Sequence, residues 1–154
     1  MMRRIVSAGV IGFALLTAAT FTRPPQAAVG ITPDIADACR YWETRARPAR
    51  ATAPGEFVVF LAHACAAAKV SLDTGRAEQR RRAVRLLEHI AGLRKTVAAI
   101  NADRLRRAAA NPLSGPPVPV SPAGEFLIAH RMGLLDAFEA WLDSGADFSL
   151  ASYP

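Results

Sequence analysis

Ala83, Leu86, Ile90, Leu93, Val97 and Ile100 recur at alternating steps of three and four residues. That spacing places all six on one seam of an α-helix and is incompatible with the two-residue period of a strand. It predicts a helical segment over Arg76–Ala110, 35 residues. Unbroken, such a segment is about 52 Å long. Gly92 and Asn101 are the two places where it could bend or divide. An a/d-like seam of this length needs partner helices to cover it, so the chain is read as an all-α protein. The abundance of alanine and the low aromatic content, 7%, agree with that class.

Partners are present on both sides. The stretch "TPDIADACRYWETRAR" offers Thr32 as a cap, Pro33 at the first helical position and Asp34 and Asp37 near the positive end of the helix dipole. Ile35, Cys39, Trp42 and Ala46 share its apolar face, and Pro48 is expected to end it. A second helix, Pro54–Leu72, carries no charge between Phe57 and Ala68 and belongs in the middle of a bundle. Asp73-Thr74-Gly75 is expected to break the chain and cap the next helix. Residues 111–122, "NPLSGPPVPVSP", contain five prolines and read as an extended, polyproline-II-like connector. The last helix runs from Ser121 or Pro122 to about Ser144. Its apolar stripe is Ile128, Leu135, Phe138 and Leu142, flanked by Leu134 and Trp141, and Gly145 is the natural residue just past its end. The expected architecture is a single bundle of about four helices over residues 29–154. Its core candidates are Phe57, Phe60, Leu61, Leu86, Ile90, Leu93, Val97, Leu135, Phe138 and Trp141.

The N-terminus has a different character. "MMRR" precedes Ile5–Phe21, 17 residues without a charge, and small residues follow at Ala27 and Ala28. This is the layout of a secretory signal peptide, residues 1–28. The alternative is an uncleaved membrane anchor through residues 5–21, which is at the short limit of a span. Export, to a periplasmic or extracellular compartment, makes Cys39 and Cys65 a disulfide pair. Two buried thiols are the other reading of the same pair. Loss of Arg3, Arg4 and Arg23 with the leader reduces the formal charge from +6 to +3.

The remaining charge is uneven. Residues 76–107 carry ten Lys/Arg against Glu78, Glu88 and Asp103, whereas residues 108–154 carry Arg131 against five acids. The simplest use is internal, with the acidic last helix packed along the basic third one. The external use is an anionic partner held by Arg80, Arg81, Arg85 and Lys95: an anionic lipid, a membrane surface or a cell-wall polymer. No aromatic residue is interleaved between Arg76 and Arg107, which argues against a base-stacking surface for nucleic acid.

Catalytic and cofactor patterns are absent from the sequence. His63, His89 and His130 each lie on a different helical segment, and no HExxH, EF-hand loop, P-loop or GxSxG occurs. Asp136, Glu139 and Asp143 form an acidic stripe that reads as a solvated helix face. "PGEFVVFLAH" and "PAGEFLIAH" echo one another, but their Glu-to-His spacings differ, so the two are not in helical register.

Ala129, Gly133, Leu135, Phe138, Trp141, Leu142, Gly145, Ala146 and Asp147 together resemble the second half of an ankyrin repeat, within residues 123–150. The resemblance implies two short helices separated at Gly133, a turn at Gly145–Asp147, and a protein-binding surface without catalysis. Gly124-Glu125-Phe126-Leu127 stands where that family has Thr-Pro-Leu-His. A continuous helix through Gly133 would exclude the resemblance. The function these residues point to is non-enzymatic: binding of a protein partner or a cell-envelope component, with no cofactor and no metal.

Overall fold

The computed structural model describes residues 30–149. The signal peptide or anchor expected in residues 1–28 lies outside them. The described residues form five α-helices and one 3₁₀ turn, without strands: α1 Pro33–Thr52, α2 Phe57–Thr74, α3 Ala77–Ala110, the 3₁₀ turn Pro112–Ser114, α4 Pro122–Arg131 and α5 Leu134–Asp143.

Helix α3 is the organising element. It runs 34 residues without a break, about 51 Å. Gly92 does not divide it; a Cβ there would lie 3.1 Å from Met132 Cε, so the glycine lets α3 and the α4–α5 junction approach closely. Ala83, Leu86, Ile90, Leu93 and Val97 are all buried, with Leu87 and Ala91 beside them. Helices α1, α2, α4 and α5 all pack against this seam. Helix α2 is long and apolar enough to cross a membrane by composition. Here it is a core helix, with Leu61, Ala62, Ala64, Cys65 and Ala68 fully buried against its neighbours.

Helix α1 starts as its sequence dictates, with Thr32 Oγ1 accepting from the Ile35 N–H at 3.3 Å. Pro48 does not end it. The proline removes one backbone donor, but Ala46 is buried and Ala49 packs on the core on either side of it, and the helix continues to Thr52. Cys39 and Cys65 are bridged, with Cα atoms 5.7 Å apart, so α1 and α2 are joined covalently at the core. Asp73 and Thr74 belong to α2 and do not cap α3; instead Gln79 Oε1 accepts from the Arg76 N–H at 2.8 Å. The connector is extended apart from the 3₁₀ turn, which Asn111 caps through its side chain.

The expected last helix is two helices. Gly133 has φ +76° and separates α4 from α5. The break also rotates the buried face of α5 by one residue. Leu134, Ala137 and Trp141 are buried, while Leu135, Phe138 and Leu142 pack at the core's margin. Phe57 and Phe60 are marginal in the same way. Phe148 folds back beyond Gly145 onto Phe60, Phe138 and Trp141, and His63 Nε2 donates to its carbonyl at 2.6 Å. Trp141 Nε1 donates to the buried Ser71 Oγ at 3.0 Å, tying α5 to α2.

Candidate ligand groove between helices α3 and α5

Helix α3 presents Glu78, Arg81, Arg82, Arg85 and His89 at steps of three and four, hence on one face. Helix α5 lies beside this face with Gly133, Asp136, Ala137 and Ala140. The space between them is a groove of about 650 Å³, lined by these nine residues. Apart from Asp136, the α5 side contributes only Gly133, Ala137 and Ala140, so most of the polar side chains in the groove come from α3.

The charges in the groove are not equivalent. Glu78 accepts from Arg81 and from Arg82 Nε, the latter at 2.6 Å. The Arg81 hydrogen bond, followed by that of Arg82, holds the Glu78 carboxyl below the usual carboxylate range. A depressed carboxyl pKa contributes stability above its unfolded value and loses it as pH falls through the folded value. Arg82 also donates from Nη1 to the Ala140 carbonyl at 2.6 Å. Ala140 is in the last turn of α5, where carbonyls lack helical partners and the dipole is negative, so this contact caps α5 from α3. The contact is to backbone, not to the acidic side chains of α5. Among the described residues no ion pair joins Asp136, Glu139 or Asp143 to α3.

Arg85 is exposed and has no ion-pair partner among the described residues. His89 Nδ1–H donates to the Arg85 carbonyl at 2.7 Å, which fixes the tautomer of the neutral ring and leaves Nε2 as the acceptor. That Nε2 and Asp136 Oδ2 both lie within 4 Å of the point where a Gly133 Cβ would sit. A ring nitrogen, a carboxylate and the bare Gly133 backbone therefore converge in the groove that the Arg85 guanidinium also lines.

Of the four cations expected to hold an anion, the structure brings two together. Arg81 and Arg85 line the groove. Arg80 is exposed and not part of it, and Lys95 pairs with Asp34 of α1 at 2.5 Å. Arg82 and His89 belong to the site and were not among the expected residues; their i+3 and i+7 spacing from Arg82 to Arg85 and His89 is the signal that identifies them.

A second polar cluster lies across the bundle. Glu125, in the first turn of α4, is 2% exposed and accepts from Arg45 Nη1 of α1 at 2.6 Å. The Arg45 guanidinium also stands over the Tyr41 and Trp42 rings, at 5.3 and 5.2 Å, and Arg94 covers Tyr41 at 3.8 Å. Burial pulls the Arg45 pKa down, but the hydrogen bond and charge of Glu125, with Tyr41, outweigh it and the pKa is raised. This cluster couples α1, α3 and α4 and is structural in character. The described residues gather no group of three or more His, Cys, Asp or Glu side chains at metal-binding range.

Neither family models, curated proteins nor solved structures contain a match to this chain.

Proposed function

We propose that the chain is an exported, non-enzymatic binding protein that holds an anionic group of a cell-envelope component or partner protein in the groove between α3 and α5. The observation that carries this reading is the arrangement of Arg81, Arg82, Arg85 and His89 along one wall, with Arg85 free of any ion pair among the described residues and Gly133 leaving backbone bare beside His89. The cations stand on helices fixed by the core, so they are preorganised for a ligand. Export is supported by the disulfide between Cys39 and Cys65 and by the signal-like layout of residues 1–28.

The test is affinity capture from envelope extract by the chain beginning at residue 29, as wild type, Arg85→Glu and Glu78→Gln. A component that binds in the groove is released by raised salt and lost with Arg85→Glu. Glu78→Gln frees Arg81 and Arg82 from their internal partner, so retention strengthens, by about threefold to tenfold for charge-assisted contacts. Retention indifferent to both substitutions would sink the reading.

An ankyrin-like interaction fragment is the second reading, favoured by the break at Gly133 and the left-handed turn at Gly145, φ +84°. In that case the partner's footprint, mapped by hydrogen exchange, covers α4 and the turn after Gly145 and leaves Arg85 unprotected.

A further inference from the structure

The C-terminal third of α3 outruns its core. Val97 is the last buried residue of the helix, yet the helix continues to Ala110. The connector returns alongside this extension: Arg104 Nη1 donates to the Val118 carbonyl at 2.9 Å, and the Val120 N–H donates to Asn101 Oδ1 at 2.8 Å. The result is a tip with the Pro112–Ser114 turn at its apex.

This tip carries an unusual surface. Leu113 at the apex is 96% exposed, Val118 72% and Leu105 61%. On α3, set back from Leu113, stand Arg104, Arg106 and Arg107, opposed by Asp103 alone, and no acidic residue occurs between Asp103 and Glu125. Arg104 and Arg107 also line a groove of about 560 Å³ left between α3 and the connector. Leucine first and arginines behind it is the depth order of a bilayer surface, where hydrocarbon lies inside the phosphates. A groove on a partner protein has no such requirement for cations set back from the apolar apex.

We propose that the tip formed by residues 104–118 docks on an anionic lipid surface, with Leu113 entering the headgroup–acyl boundary and Arg104, Arg106 and Arg107 meeting lipid phosphates. The tip is separate from the groove: His89 and Arg104 are 15 residues apart on one helix, about 22 Å. A membrane contact at the tip leaves the groove open, so the two sites fail independently.

The test is co-sedimentation of the chain beginning at residue 29 with phosphatidylglycerol–phosphatidylcholine vesicles at low ionic strength. Wild type binds, binding falls as salt rises, and pure phosphatidylcholine vesicles retain it at least about tenfold less. Leu113→Glu weakens binding about tenfold or more; at 96% exposure this substitution cannot disturb the core. Arg106→Gln with Arg107→Gln weakens it by about fivefold for each arginine. Arg80→Gln, on the other half of α3, changes it by less than about twofold. Three results overturn the proposal: no wild-type binding at low salt, binding lost with Arg80→Gln but kept with Leu113→Glu, or binding equal on neutral and anionic vesicles. A dimer that Leu113→Glu dissociates, in a chain that ignores vesicles, would make the tip a contact between copies and equally overturn it.

Discussion

Glu125 is a carboxylate kept almost wholly from water, and three things make that tolerable. Arg45 donates to Oε1 at 2.6 Å. Its place in the first turn of α4, after the Ser121 cap, puts it at the positive end of a helix dipole. The Tyr41 and Trp42 rings flank the arginine and shield the pair. The other oxygen, Oε2, is buried without a hydrogen-bond partner. Arg45→Met therefore strands a buried charge. The expected loss in chemical denaturation is about 2–3 kcal/mol, below the 3–5 of a fully buried pair because the Arg45 side chain is 33% exposed. The double variant Arg45→Met, Glu125→Leu recovers most of that loss, because neither charge is then left alone. A double variant as unstable as the single one would mean that Arg45 acts through packing on the rings. The pair was not legible in the sequence: its members lie 80 residues apart, and Glu125 stood out only within the Gly-Glu-Phe echo and the Gly124–Leu127 stretch, neither of which points to Arg45. The cystine, by contrast, was readable, because two cysteines in a chain with an export-like N-terminus leave one pairing.

Among the elements, Gly133 decides the most. A residue at φ +76° is comfortable only as glycine, and there the α4 axis ends and α5 begins. Periodicity alone could not find this break, because Ile128, Leu135, Phe138 and Leu142 keep helical spacing across it. The consequence is the rotated face of α5, with Leu134, Ala137 and Trp141 inside. Gly133→Ala is expected to lower stability by about 1–2 kcal/mol, the cost of holding a Cβ in the left-handed region. The space itself is adequate, since the nearest side-chain atom would be 3.8 Å away. Gly133→Asn should then cost less than Gly133→Ala, because asparagine tolerates that region. Thermal denaturation of the two variants checks the order. Equal losses, or a larger loss for asparagine, would show that crowding at His89 and Asp136 dominates over backbone conformation. Pro48 makes the complementary point. Its effect was overestimated from sequence because tertiary contacts at Ala46 and Ala49 outweigh one missing hydrogen bond.

At the scale of the whole molecule, stability is concentrated toward one end of α3. The seam Ala83–Val97, the α1–α2 cystine and the Trp141–Ser71 hydrogen bond lie within the buried bundle, whereas no residue of α3 beyond Val97 is buried. The seam was the most legible feature of the sequence, because a repeated three-four spacing survives any arrangement of its partners. How far the helix would outrun those partners was not legible, since overhang depends on the lengths of α1 and α2 at the same level. Two consequences can be measured on one preparation. Hydrogen exchange should be slowest over residues 83–97 and rise toward 101–110, where the Asn101 and Arg104 hydrogen bonds and the Asp103 ion pairs hold the tip. Replacing both cysteines by alanine opens a loop of 26 residues in the unfolded chain and should cost about 3–4 kcal/mol on the chain-entropy relation. For a domain of this size that corresponds to a fall in Tm of roughly 10–25 °C. The exchange gradient should flatten in this variant, because protection over residues 83–97 falls where the most protected amides exchange through global unfolding. Residues 101–110, already open by local fraying, should exchange at the wild-type rate. A tip that also loses protection would place it in the same cooperative unit as the bundle, and the overhang would then be held by contacts other than the Asn101 and Arg104 hydrogen bonds.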